Sequence, residues 1–198
     1  MTIPPLYICG ERRTGKSTAA QALCEAFGLH EVSITAPLYE IARTYFGMTT
    51  KDRALLQRVG DAFRNVREDW LIEHVIERAN ALDGLAVCPD IRLPREGELL
   101  RKAGWIGLRI ERTREHQSAA ILEAGEELTG EQAEHQTETR VGLVPVDGWI
   151  TNDGAPEELG EKAVAYVKAI LRAREDRAWL NMRDVGREIL PPYEIDEP

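Results

Sequence analysis

An open parallel β-sheet with helices on both faces is the fold this sequence predicts, and three observations lead there. Short apolar runs of strand length alternate with longer stretches whose apolar residues recur at helical spacing, the order in which parallel strands are joined by crossover helices. The first apolar run leads through a glycine-flanked loop into a helix. A later one ends in an aspartate and an arginine, at the strand end where open parallel sheets hold ligands. With 198 residues, 43% of them hydrophobic and 30% charged, the chain suffices for one domain with an insertion.

Leu6–Cys9 is the first strand, and Lys16–Phe27 a helix that ends near Gly28. Leu29–Ile34 reads as a second strand. Thr35 then caps a helix with Pro37 in its first turn, running to Phe46 and stopped by Gly47. Across Lys51–Asn80, Leu55, Leu56, Val59 and Phe63, then Trp70, Leu71, Val75 and Ile76, keep helical spacing, so two helices meet near Arg64–Arg67. Leu85–Cys88 is a third strand, Glu96–Ala103 a helix, Trp105–Ile110 a fourth strand, Gly148–Thr151 a fifth, and Pro156–Arg172 the last well-formed helix. Polar, core-poor Thr113–Thr139 interrupts the alternation between strands four and five. It is too long for an ordinary connection and has the character of a helical lid. Ala173–Pro198 reads as a further helix and an acidic, proline-bearing tail. The division is therefore a domain over 1–173, with its core at 1–112 and 140–173, its lid at about 113–139 and substrate-side helices at about 36–82, followed by a tail at 174–198.

Net charge narrows the partners. The chain carries 25 basic and 34 acidic residues, a net charge of −9, which disfavours gripping a nucleic-acid backbone. Arginine far outnumbers lysine, so forked contacts to anions are the available theme. The three cysteines and four histidines show neither disulfide nor zinc-ligand spacing. No apolar run approaches a membrane span, and no signal peptide opens the chain, so a reducing cytoplasm is the expected setting.

Gly10-x-x-x-x-Gly15-Lys16-Ser17 matches the phosphate-loop (Walker A) pattern at every fixed position, between a strand and a helix. The glycines let the backbone curl so that successive N–H groups converge on a phosphate, and the helix start adds partial positive charge. Lys16 is placed to reach the β- and γ-phosphates of ATP, and the Ser17 hydroxyl to ligate Mg²⁺. Arg13, Thr14 and Thr18 complete the ATP-binding set with Gly10 and Gly15. The fold class sharpens accordingly to the three-layer α/β fold of phosphate-loop NTPases, with a five-stranded parallel sheet. Leu85-Ala-Val-Cys-Pro-Asp90-Ile-Arg92 puts a carboxylate and a guanidinium at a strand end. Asp90 is a candidate either to hold Mg²⁺ through water or to accept a proton from the acceptor; Arg92 is a candidate phosphate clamp.

Several stretches, in order over residues 6 to about 170, resemble the deoxynucleoside monophosphate kinases of bacteriophages, within the nucleoside monophosphate kinase group of phosphate-loop proteins. They are Ala36-Pro37-Leu38, Leu56-Gln57-x-x-Gly60-x-x-x-Arg64, Asp90-x-Arg92 with Glu96 and Glu98, His135-x-x-Glu138, and Asp147-Gly-Trp-Ile-Thr-Asn152-Asp153-Gly154. Tyr39 stands where that family has a lysine and Thr137 where it has a serine, so the acceptor's identity is not read from these positions. The resemblance implies that Arg64 grips the acceptor monophosphate, with Ala36 and Tyr39 on the acceptor side. It implies that Asn152 and Asp153 lie under the donor base, and that Arg112 and Arg114, at the hinge of the lid, close on the transferring phosphate; Arg140 sits at the lid's opposite end. Lys16, Asp90, Arg92 and Arg112 are then the catalytic set, and Ser17 and Asp90 the metal set.

The function so implied is phosphoryl transfer from Mg-ATP to a nucleoside or deoxynucleoside monophosphate. The partner is a small nucleotide, with neither nucleic acid nor membrane, in a monomer or homodimer, in the host's cytoplasm if phage-encoded. Two rivals stand beside it: a kinase of a modified base or of a nucleotide within DNA, and a non-kinase ATPase. The chain lacks the guanine-binding motif of nucleotide switches and the accessory length of motors.

Overall fold

The computed structural model describes residues 3–125 and 139–175. Along β1 (Leu6–Cys9) the side chains alternate between faces: Leu6 and Ile8 join one hydrophobic core, Tyr7 and Cys9 another. β1 pairs in parallel with β3 (Ala86–Ile91) on one side and β4 (Ile106–Glu111) on the other. β2 (His30–Glu31) and β5 (Gly148–Thr151) complete a five-stranded, all-parallel sheet in the order β2-β3-β1-β4-β5.

Central strands apolar on both faces need cover on both. On one face, α1 (Lys16–Phe27) and α7 (Pro156–Glu175) bring Ala19, Leu23, Leu159 and Val167 against Leu6, Ile8, Leu108 and Ile110. On the other lie α2 (Ala36–Phe46), α3 (Arg53–Val66), α4 (Trp70–Asn80) and α5 (Pro94–Lys102). Their Leu38, Val59, Val75 and Leu100 cover Tyr7, Cys9 and Cys88. Fully burying a side chain such as Ile8 or Leu100 is worth roughly 1.5–3 kcal/mol, so this sandwich is the main source of stability. The three-layer α/β arrangement is the one expected.

Several boundaries move, each for a physical reason. The second strand has two residues rather than six: after Val32 donates to the Val87 carbonyl, the chain turns so that Ser33–Thr35 can bond Asp90. The third strand runs on past Cys88. Pro89, which has no N–H to give the ladder, is absorbed by a register shift between the Tyr7–Cys88 and Cys9–Ile91 pairs. Thr35 does not cap α2 with its side chain; its hydroxyl donates to Asp90 Oδ2 at 2.9 Å. α3 starts at Arg53, where Asp52 caps it by accepting from the Leu55 N–H at 2.9 Å. α3 and α4 do part where expected, with Arg67 extended between them.

The insertion begins as α6 (Arg114–Glu123), which buries no residue. A 3₁₀ turn at Val141–Leu143 returns the chain to the sheet, with Val141 and Val144 buried. His135, Glu138 and the expected C-terminal helix and tail beyond residue 175 lie outside the described residues. Among the described residues no helix is long and apolar enough to cross a membrane.

Candidate active site

The loop between β1 and α1 has the backbone a phosphate cradle requires. Gly10 (φ 146°), Arg13 (φ 60°) and Gly15 (φ 97°) all take positive φ, the kind of backbone from which anion-binding nests are built. A Cβ on Gly10 would sit 2.2 Å from the Ile110 carbonyl oxygen, and one on Gly15 2.6 Å from both Asn152 Nδ2 and Leu159 Cδ2. Glycine at both positions is thus a steric necessity. Buried Thr14 donates from Oγ1 to the Glu11 carbonyl at 2.9 Å, and the Lys16 ammonium reaches across the loop to the same carbonyl. α1 begins at Lys16 with no acidic residue in its first turn, so its positive end faces the cradle without a competing carboxylate. Ser17 is exposed at that end, whereas Thr18 faces a groove between α1 and α7.

Behind the loop, a network joins the residues expected to bind ATP. Asn152, 6% exposed, donates from Nδ2 to the Thr14 carbonyl at 2.8 Å, and its own N–H bonds the Glu111 carbonyl at 2.8 Å. Arg112 donates from Nε to the Asn152 carbonyl at 2.8 Å and from Nη1 to the Arg13 carbonyl at 3.2 Å. Asp153 accepts from the Thr113 N–H and hydroxyl at 2.9 and 3.1 Å, and the same hydroxyl lies 2.7 Å from His116 Nδ1. Arg112 is therefore docked against the loop after β1 and the turn after β5.

On the other side, register brings the second group to the same sheet edge. Cys9 pairs with Ile91 and with Arg109, so Gly10 and Arg92 leave the sheet on adjacent strands. Asp90 stands at this edge, but its carboxylate holds the turn into α2. Oδ2 accepts from Ser33 Oγ (2.6 Å), Thr35 Oγ1 (2.9 Å) and Thr35 N (3.2 Å), and Oδ1 from Ile34 N (3.1 Å) and Cys88 Sγ (3.2 Å). Burial, and then the Asp90 charge, push the Glu31 carboxyl above its ordinary value. Half-buried Arg92 donates its backbone N–H to Glu96 Oε2 at 2.9 Å, and Arg64 Nη2 meets Glu96 Oε1 at 2.9 Å. Arg64 lines a cavity of about 660 Å³ with Arg95, Glu96 and Arg140 on its wall.

Ala36 and Tyr39 share an open depression on α2 with Arg43, whose guanidinium lies 5.5 Å from the Tyr39 ring centre. The other aromatics divide. Phe63, Trp70 and His74 stack in series at 4.8 and 5.5 Å, with Phe63 and Trp70 packed on the core, while Tyr45 and Phe46 are exposed.

Two residues at the site were not singled out from sequence. Arg109 donates to the Val144 carbonyl at 2.6 Å and, with Glu11, Thr14 and Arg112, lines a cavity of about 220 Å³ beside the phosphate loop. Its signal was an arginine inside an otherwise apolar strand. Gln117 of α6 donates to Glu11 Oε2 at 2.8 Å and to the Arg12 carbonyl at 3.1 Å, a contact over about a hundred residues with no mark in the sequence.

No protein-family model and no curated protein sequence matches the chain. Solved structures match its fold. The chain is similar to shikimate kinase from Acinetobacter baumannii in complex with shikimate (19% identity, TM-score 0.58, covering 85% of this chain and 94% of that one). It is also similar to a gluconokinase from Sinorhizobium meliloti 1021 (13%, 0.56, 88% and 97%) and to a sugar kinase from Janibacter sp. HTCC2649 (18%, 0.52, 84% and 95%). The fold is that of phosphate-loop kinases.

Proposed function

We propose that this protein is a kinase that transfers the γ-phosphoryl of Mg-ATP to a nucleoside or deoxynucleoside monophosphate, in the manner of the bacteriophage enzymes its motifs resemble. One observation carries the reading. A phosphate loop with its left-handed backbone leaves the sheet beside the strand end at Arg92, where Glu96 also holds Arg64. The Glu96 carboxylate thus links the strand end beside the phosphate loop, through the Arg92 N–H, to the Arg64 guanidinium, which supports a second anion site near the first.

Phosphoryl transfer asks the protein for positioning and charge neutralisation. Backbone N–H groups of the loop and the start of α1 would hold the β-phosphate, with the Lys16 ammonium at the β,γ-bridge. Asn152 and Arg112 would keep the loop and the donor-base side in register. Arg64 and Arg92 would clamp the acceptor phosphate. Magnesium, bound with the triphosphate, supplies further charge neutralisation there, and exposed Ser17 offers it the hard oxygen it favours. Asp90 is better suited to holding the turn into α2, and through it Ala36, than to direct ligation or proton transfer, because both its oxygens already accept hydrogen bonds.

The test is transfer of labelled γ-phosphate from Mg-ATP to a panel of free ribo- and deoxynucleoside monophosphates, modified pyrimidines included, beside oligonucleotides carrying the same bases. Labelling of at least one free monophosphate, with little labelling of oligonucleotides and mild salt dependence, is the expected result. Efficient labelling of oligonucleotides with every free monophosphate inert would replace this reading with a DNA-acting kinase. ATP hydrolysis without any labelled acceptor would replace it with an ATPase.

A further inference from the structure

Two costly residues face each other across Arg64. Glycine is among the worst residues for a helix interior, yet Gly60 sits in the middle of α3. A buried carboxylate is expensive unless it is fully engaged, yet Glu96 of α5 is 5% exposed.

Glu96 divides its two oxygens. Oε2 accepts the N–H groups of Arg92 and Leu93 at 2.9 and 3.0 Å, closing the start of α5, where Leu93 has no polar side chain to do so. That role needs only an acceptor, and glutamine serves equally well at such a position. The negative charge is explained by the other oxygen, Oε1, which takes Arg64 Nη2 at 2.9 Å. Arg64 Nη1 lies 3.8 Å from Asp61, too far for a hydrogen bond. Glu96 thus tethers one end of a guanidinium that has five N–H donors, while the neighbouring Arg95 is taken by a two-pronged contact to Asp69 at 2.9 and 2.7 Å.

Gly60 provides the space. It precedes Arg64 by one turn, and helical side chains lean back over the turn before them. A Cβ on Gly60 would lie 3.1 Å from Arg64 Nη1 and 3.3 Å from Leu38 Cδ1 of α2. Both contacts are tight, so with a methyl at residue 60 the Arg64 guanidinium and Leu38 would each have to give by a few tenths of an ångström.

We infer that Glu96 and Gly60 are positioning residues that pre-aim Arg64 at an anionic group of the acceptor. The inference rests on the acceptor reading above. An arginine held before binding loses little rotamer freedom on binding, so the arrangement lowers the acceptor's KM.

Glu96→Gln separates the two duties. Its carbonyl oxygen still accepts from Arg92 and Leu93, but its amide presents N–H groups to a guanidinium that also only donates. With whichever monophosphate of the full ribo- and deoxynucleotide panel the wild type phosphorylates fastest, kcat/KM for the acceptor should fall about tenfold, mostly through KM, with ATP affinity unchanged. In an Arg64→Ala background the same substitution should add nothing. Gly60→Ala should raise the acceptor KM with ATP affinity unchanged, while alanine's better helix propensity offsets the crowding of Leu38 in Tm. Wild-type acceptor kinetics in Glu96→Gln, or losses that multiply in full in the double variant, would reduce Glu96 to a helix cap and overturn the inference. Wild-type transfer by Arg64→Ala, or no transfer by the wild type to any monophosphate of the full ribo- and deoxynucleotide panel, would instead overturn the acceptor reading and this inference with it.

Discussion

Asn152→Ala removes one hydrogen bond from behind the phosphate loop, and its cost can be worked out from the surroundings. The backbone bonds of residue 152 survive, since alanine keeps the N–H that reaches Glu111 and the carbonyl that accepts from Arg112. What goes is the donor to the Thr14 carbonyl, and Thr14 is only 2% exposed, so water does not easily replace it. Leaving a buried acceptor unsatisfied costs about 1–3 kcal/mol. Taking about 2 kcal/mol, with roughly 2–4 °C per kcal/mol for a chain of this size, Tm should fall by about 4–8 °C. Asn152→Asp should fall further, because a carboxylate would then face the Thr14 carbonyl with no donor between them. Thermal and urea unfolding followed by circular dichroism measure both. Saturating Mg-ATP should also stabilise the alanine variant less than the wild type at equal concentration, because an unpinned loop binds it more weakly. A Tm within 1 °C of wild type would refute the claim that Asn152 braces the loop.

Lys16→Met should lower kcat by at least about 10²–10³, the usual consequence of losing one charge-stabilising donor, as measured by ADP release in the presence of acceptor. In the folded protein, burial raises the thiol pKa of Cys9 and Cys88, and both side chains are sealed in the sheet, so a thiol reagent near neutral pH should label them only as the chain unfolds. Fast labelling of both in native protein would contradict the packing of β1 and β3. The two-pronged contact from Arg95, and then its charge, hold Asp69 below its ordinary pKa. That stabilisation is fully present above the unfolded value near about 4 and is lost as pH falls through the lower folded value. The stability difference between wild type and Arg95→Ala should therefore be flat from pH 7 down to about 5 and shrink below about 4 in urea titrations, and a difference that grows on acidification would reverse the assignment.

The local features of this protein were legible in its sequence because they depend on neighbours within a few residues. Gly10-x-x-x-x-Gly15-Lys16-Ser17 determines a loop whose two glycines take positive φ at points where a Cβ would clash, and the alternating apolar runs determine parallel strands buried on both faces. Helical spacing located the break between α3 and α4, because an amphipathic stripe is a property of one element. Strand ends were read less well: the apolar run bounds the third strand at Cys88, and only pairing with β1 shows that it runs on to Ile91 through a register shift. The site's partnerships belong wholly to tertiary structure. Asp90, read as a metal or proton site, turns out to anchor residues 33–35 some fifty-six positions away. Arg112, read as a catalytic arginine at the hinge of the lid, bonds the carbonyls of Arg13 and Asn152. Gln117, Arg109 and the Glu96–Arg64 pair acquire their roles only when distant segments meet. A hydrogen bond is decided by distances of about 3 Å between groups that the chain order leaves far apart. Residue type states what a side chain can offer, and the fold decides which group receives it.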